Sequence, residues 1–309
     1  SEPMAMATQM VGKLANDIVT SLKVETKQDM MEAPTANVEA YKYYLEAKFK
    51  WENREGKEDI NTSIGLIQKA IELDNNLIIA KNFLALRYNY QGDTHKALNL
   101  FNKNLEQANE IGDKNSYAAS LSGIGLVYRK QQKYEKALQY YNNALEVFNN
   151  IDNKNEIAHI YDLIGHLYEE QHDYTNTHIY WGKAKEIHLN IENIDGISTA
   201  ITHSGFLNLS TGNYGGALAC FTEYLQIQNN INNKVGIQIG LHTIGWAYLK
   251  IGNLNQAYKS LYQASNAYEK FGNKDELHDI YGLLGVLFFN KKEYKQSIKY
   301  LEKHFISSM

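Results

Sequence analysis

Glycine recurs at positions 125, 165, 205, 245 and 285, forty residues apart each time, and Ala85 extends the series one step back. A fixed period of a few tens of residues marks a stacked repeat architecture, in which each unit buries its apolar face against its neighbours. Other positions keep the same beat. Nine residues beyond the small residue stand Tyr134, Tyr174, Tyr214, Leu254 and Tyr294; twelve beyond stand Ala97, Ala137, Ala217 and Ala257; nineteen beyond stand Ala144, Ala184 and Ala264.

Within one period the apolar residues recur at helical spacing. Leu121, Ile124, Val127 and Tyr128 share one helix face, and after the break QQK a second helix carries Ala137, Leu138, Tyr141, Ala144, Leu145 and Phe148 on its own. The later breaks read QHD, TGN and IGN, short enough to join antiparallel neighbours. Between pairs the chain reads IDNKN, IENID, INNKV and FGNKD, turns expected to stop helices. Both prolines, Pro3 and Pro34, precede the periodic region, as continuous helices require. Interior glycine costs a helix about 1 kcal/mol against alanine, so the recurring glycine implies a close approach of one helix to the next.

These spacings predict an all-α array with repeats over 37–77, 78–117, 118–157, 158–197, 198–237, 238–277 and 278–309. The first is irregular: NVEAYKYYLEAKFKWENR supplies one helix, and INTSIGLIQKAIELDNN the other. Residues 5–23 read as a further amphipathic helix, with Met10, Leu14, Ile18 and Leu22 aligned, so that 1–36 comprise an N-terminal helix and linker.

Small residue, aromatic and two alanines at these offsets resemble the tetratricopeptide repeat over about residues 40–309. The forty-residue spacing is similar to the longer-helix variety of Pins-type scaffolds and bacterial peptide-sensing regulators. That resemblance implies a right-handed superhelix, an α-solenoid of about seven helix pairs, with a concave groove lined by the first helix of each pair. Thr177 and Ser297 depart from the first alanine, Tyr224 from the second, and Asn208 from the usual aromatic. The N-terminal segment also resembles the linker between effector domain and repeats in bacterial class III adenylate/guanylate cyclases and winged-helix regulators.

Carried over position by position, the groove-facing sites of the family fall three before, one after and four after the small residue. They give Asn82, Leu86 and Asn89; Ser122, Leu126 and Arg129; Asp162, His166 and Glu169; Thr202, Phe206 and Leu209; His242, Trp246 and Leu249; and Gly282, Val286 and Phe289. The peptide-binding residues so expected are Asn82, Asn89, Arg129, Asp162, His166, Glu169, Phe206, His242, Trp246 and Phe289, polar toward the N-terminus and aromatic toward the C-terminus. The lysines that family members use to clamp a chaperone's C-terminal carboxylate are missing.

The remaining chemistry is sparse. Asp162, His166 and Glu169 share a helix face, with His203 and His242 further on, but ten histidines spread over helices bring such groups together by chance, and no metal or cofactor is expected. Cys220 sits beside Phe221 and reads as a packing residue, and no phosphate-binding glycine loop follows a strand. A net charge of -4 argues against a chain held to nucleic acid by phosphate contacts. No signal peptide or apolar run of about 20 residues is present, which excludes membrane insertion by a helix and points to the cytoplasm. Ser1 points to a processed or tagged start and so to a segment of a longer protein.

Function is expected to be binding, with no catalysis by this chain. The groove takes a peptide segment of a protein partner, either in a stand-alone adaptor or in the regulatory arm of a signalling protein such as a nucleotide cyclase or transcription regulator. Homodimerisation through the terminal repeat is a further expectation, because the last helix carries Tyr300, Leu301 and Phe305 with no following polar cap.

Overall fold

A computed structural model describes residues 35–54, 56–271 and 274–307; the helix expected over 5–23 lies outside them. Among the described residues every regular element is a helix. They run in order as α1 (Val38–Glu52), α2 (Lys57–Leu73), α3 (Ile78–Tyr90), α4 (Thr94–Ile111), α5 (Lys114–Lys130), α6 (Tyr134–Asn150) and α7 (Lys154–Glu170). There follow α8 (Tyr174–Asn190), α9 (Ile194–Ser210), α10 (Tyr214–Asn230), α11 (Lys234–Ile251), α12 (Leu254–Phe271), α13 (Lys274–Asn290) and α14 (Tyr294–Ser307). The result is seven tandem pairs, the all-α solenoid that the periodicity implies.

The turns show a shorter beat than the glycines. A residue in the left-handed backbone region stands at 92, 112, 132, 152, 172, 192, 212, 232 and 252, and again at 292. Each follows a helix end closed by reaching back: the Lys133 N–H donates to the Tyr128 carbonyl at 2.9 Å, and that of Asn233 to Gln228 at 3.0 Å. The very next residue usually caps the following helix. Asp93, Asp113, Asn153, Asp173, Asn193, Asn213, Asn233 and Asn253 each accept from the N–H three residues on. The Asn- and Asp-rich turns therefore start helices as well as stop them. As a consequence α5, α7, α9, α11 and α13 begin four residues ahead of the frame aligned on glycine.

The recurring glycine makes room for one large side chain sixteen residues later. A methyl on Gly125 would lie 2.6 Å from Tyr141, on Gly205 2.5 Å from Phe221, on Gly245 2.7 Å from Leu261, and on Gly285 2.6 Å from Leu301. In the second pair, where the small residue is Ala85, the fully buried Phe101 ring stands instead against Gly123 of the next helix, 2.3 Å from a methyl placed there. The series Phe101, Tyr141, Trp181, Phe221, Leu261 and Leu301 is visible in the sequence once its partner is known.

The departures from the repeat are compensated. Ser297 donates its hydroxyl to the Gly285 carbonyl at 2.8 Å, and Thr177 to Asp173 at 2.8 Å, so both stay buried without an orphaned donor. Tyr128 stacks on Tyr140, Tyr168 on Tyr180 and Phe288 on Tyr300, with centroids 5.4–5.5 Å apart. At the matching place Asn208 meets Cys220, its amide 4.0 Å from the sulfur, so a stacked pair is exchanged for a polar one at both ends.

The chain divides within α7 into two compact units, one ending at Leu167 and the other beginning at Tyr168. In the first, Tyr41, Tyr44, Leu45, Ile67 and Leu84 form one core, and Ala85, Phe101, Ile124 and Val127 the next. In the second, Leu209, Phe221, Ile244 and Ala247 form one core, and Leu261, Tyr268, Ile280 and Leu287 the next.

Candidate functional site

Helices α9, α11 and α13 bring the aromatic half of the expected groove into one unit. Gly205 and Gly245 lie one residue before Phe206 and Trp246, so the close packing that buries each glycine turns its neighbour to the adjoining side of the helix. Phe206 and Trp246 lie with ring centroids 6.2 Å apart, and Phe206 meets the buried Phe221 edge-on at 5.2 Å. Phe206 keeps 38% of its surface exposed and Phe289 60%, while Val286 is exposed and Trp246 half-buried. The exposed ring of Tyr294 lies 5.8 Å from Phe289; the sequence marks it only as a repeat position.

His242 is half-buried on the same helix as Trp246. Burial holds its imidazole below the usual range, and the Asp279 carboxylate pulls the other way. The apolar strip thus carries a neutral hydrogen-bonding group at neutral pH rather than a cation.

Of the polar half, Asn82 departs from the expectation. Asn82 is only 6% exposed and points inward. Its carbonyl oxygen accepts from the Ser120 hydroxyl at 2.8 Å and lies 2.8 Å from the Asn104 amide, and its own amide donates to the Ser116 carbonyl at 3.2 Å. This network ties α3, α4 and α5 together, so Asn82 spends its side-chain amide inside the fold. Ser122, Leu209 and Leu249 are buried as well. Asn89, Arg129, Asp162, His166 and Glu169 are half-buried, Glu169 belonging to the second unit and the others to the first. The Asn89 side-chain oxygen is enclosed with no hydrogen-bond donor among the described residues.

Among the described residues no three His, Cys, Asp or Glu side chains gather as a metal site, and no helix is long and apolar enough to cross a membrane. Cys220 is half-buried, and burial followed by the Glu223 carboxylate pushes its thiol up, away from the thiolate a nucleophile needs.

Models of the tetratricopeptide repeat match residues 76–150 and 116–176, and a second such model matches 278–303. The class of fold is therefore the tetratricopeptide-like α-solenoid. A comparison with curated proteins gives no match. Among solved structures, a signal transduction ATPase with numerous domains from Pyrococcus horikoshii, described as having a tetratricopeptide repeat sensor, is 16% identical with a TM-score of 0.64. That similarity covers 91% of this chain and 44% of that one. A Rap protein complexed with competence and sporulation factor is 17% identical with a TM-score of 0.59, covering 95% of this chain and 79% of that one. The apo form of RapI is 15% identical with a TM-score of 0.56, covering 87% and 97%.

Proposed function

We propose that the chain is a non-covalent binding scaffold in which α9, α11 and α13 receive a peptide segment of a protein partner. The observation that carries this reading is the adjacent pair Phe206 and Trp246, with Val286 and Phe289 exposed on α13, large apolar groups held partly in solvent by the helix packing beneath them. Rings so mounted lose little freedom on binding and make effective anchors. His242 beside them supplies a hydrogen bond that orients the ligand backbone. The likeness to a Rap protein solved with a bound factor supports a ligand-binding role.

The test is a peptide selected on the immobilised protein from a random library, followed by fluorescence polarisation. Truncating Trp246 or Phe206 to alanine removes an anchor worth about 2 kcal/mol, which weakens binding roughly thirty-fold. Unchanged affinity in folded variants would exclude this surface.

The larger role we infer is the regulatory arm of a bacterial signalling protein. The similarity to the Pyrococcus protein with a repeat sensor accords with this reading. Immunodetection in lysate separates the two: a species tens of kilodaltons above 35.3 kDa supports the arm, and one near 35.3 kDa the adaptor. Ile298, Leu301, Phe305 and Ile306 leave an exposed apolar face on α14, on which we propose a second copy docks. A monomer mass independent of concentration in sedimentation would remove that element.

A further inference from the structure

The chain has 31 basic residues but only three arginines, Arg54, Arg87 and Arg129. Two of these three stand on one indole. The Arg87 guanidinium carbon lies 3.5 Å from the Trp51 ring centroid and 4.0 Å from that of Phe83; that of Arg54 lies 4.1 Å from Trp51 and 5.5 Å from Tyr90. Trp51 and Tyr90 meet edge to face at 4.9 Å. The group is assembled from the end of α1 and the C-terminal half of α3, and lies wholly within the first unit.

Arg87 is the anomaly. It is 7% exposed, and its Nε and Nη1 find no hydrogen-bond acceptor among the described residues. Buried arginines are ordinarily paired with a carboxylate or a row of carbonyls. Glu52 is near enough to favour the charge, but no ion pair joins the two. Arg54, the other near charge, repels it. Arg54 is exposed and spends one N–H on the Trp51 carbonyl at 2.7 Å. Lys130 adds positive charge alongside, its ammonium donating to the Asn89 and Tyr90 carbonyls at the end of α3.

We propose that this corner is a second binding site, in which Arg54 and Arg87 together receive the carboxylate of an acidic peptide segment. The flat guanidinium of Arg87 is flanked by two rings and its Nε and Nη1 are enclosed, so a carboxylate held by Arg54 meets it through Nη2. A planar carboxylate enters such a slot in the plane of the guanidinium, whereas a tetrahedral phosphate meets the rings with its out-of-plane oxygens. The half-exposed Trp51 and the exposed Tyr90 then flank the residue that bears the carboxylate. Arginine, being always charged and less tightly hydrated than lysine, is the side chain suited to waiting half-desolvated for such a partner.

With three arginines, the test is spectroscopically clean. The 309-residue chain labelled with 15N-arginine gives three Nε–H resonances, assigned by Arg54→Lys and Arg129→Lys. It is titrated with a short blocked peptide of glutamates, with its glutamine counterpart, and with inorganic phosphate. The resonances of Arg54 and Arg87 should shift together and saturate with the glutamate peptide alone, that of Arg129 staying in place. Arg54→Gln, a surface change that leaves the core intact, should weaken the binding by at least about tenfold. Absence of saturable shifts, equal shifts of all three arginines, or tighter saturation of the same pair by phosphate would each overturn the proposal.

Discussion

Replacing Gly123 by alanine sets helix propensity directly against packing. A methyl there would stand 2.3 Å from Cε1 and Cζ of Phe101 and 2.9 Å from Cδ1. The ring is fully buried among Ala85, Ala97, Ile124 and Val127, so it has to move by about 1 Å inside a close-packed core. Overpacking of that kind costs about 1–3 kcal/mol, and overlap this deep belongs at the upper end. Alanine returns about 1 kcal/mol through helix propensity. The net expectation is about 2 kcal/mol of destabilisation. Urea unfolding followed by helical circular dichroism should show a lower midpoint at unchanged slope. Gly182, inside α8 with nothing within 4 Å of a methyl, is the control: Gly182→Ala should stabilise by about 1 kcal/mol. Adding Ala85→Gly to Gly123→Ala should recover part of the loss. The Phe101 ring can then settle over α3 as Tyr141 and Phe221 settle over Gly125 and Gly205. If Gly123→Ala raises the midpoint as Gly182→Ala does, the packing account of these glycines is wrong.

Other outcomes follow from the turns and from the titrating groups. Gln132 holds a left-handed backbone at φ +58°, so Gln132→Gly should raise the urea midpoint by relieving about 1 kcal/mol of strain. Asn233 caps α11 through the Gly236 N–H and donates its amide to Gln228 at 2.8 Å, so Asn233→Ala should cost about 1–2 kcal/mol by the same assay. His242 is held below its usual range by burial, so the unfolded chain takes up a proton that the folded chain resists. Its contribution is therefore full above about pH 6.5 and declines as pH falls below it. An NMR titration should place the imidazole midpoint below 6.5, and a His242→Gln variant should lose less stability between neutral and acid pH.

The helix pairs were legible because glycine and alanine recur at positions where nothing larger fits, and a forty-residue beat survives the variation between units. The twenty-residue beat of the turns was not. Its left-handed position is glycine at 92, 112, 212 and 252 but Gln132, Asp152, His172, Glu192, Asn232 and Lys292 elsewhere. Backbone hydrogen bonds reaching back across the turn hold that conformation whatever the side chain, so residue type carries little signal. In the candidate site, the aromatic residues one position after the glycine turn partly to solvent, since a buried glycine dictates which way its neighbour turns. Asn82 was misplaced because its environment is set by Asn104 and Ser120, residues of two other helices that the local pattern does not reveal. The pairing of Arg54 with Arg87 on Trp51 was hidden for the same reason: the residues lie more than thirty positions apart and outside the repeat signature.

The equal spacing of the turns carries a consequence for folding itself. Backbone hydrogen bonds and caps are nearly the same whether a loop leads from the first helix of a pair to the second or on to the next pair. A nascent array displaced by one helix would therefore satisfy almost every main-chain group it has. What opposes that misregistered assembly is chiefly side-chain size: glycine would face glycine across an empty gap, and Tyr141 or Phe221 would be driven into positions already filled. The alternation of smallest and largest residues acts as a phase marker, and erasing it at one pair should give slow, heterogeneous refolding before it gives a loss of helix.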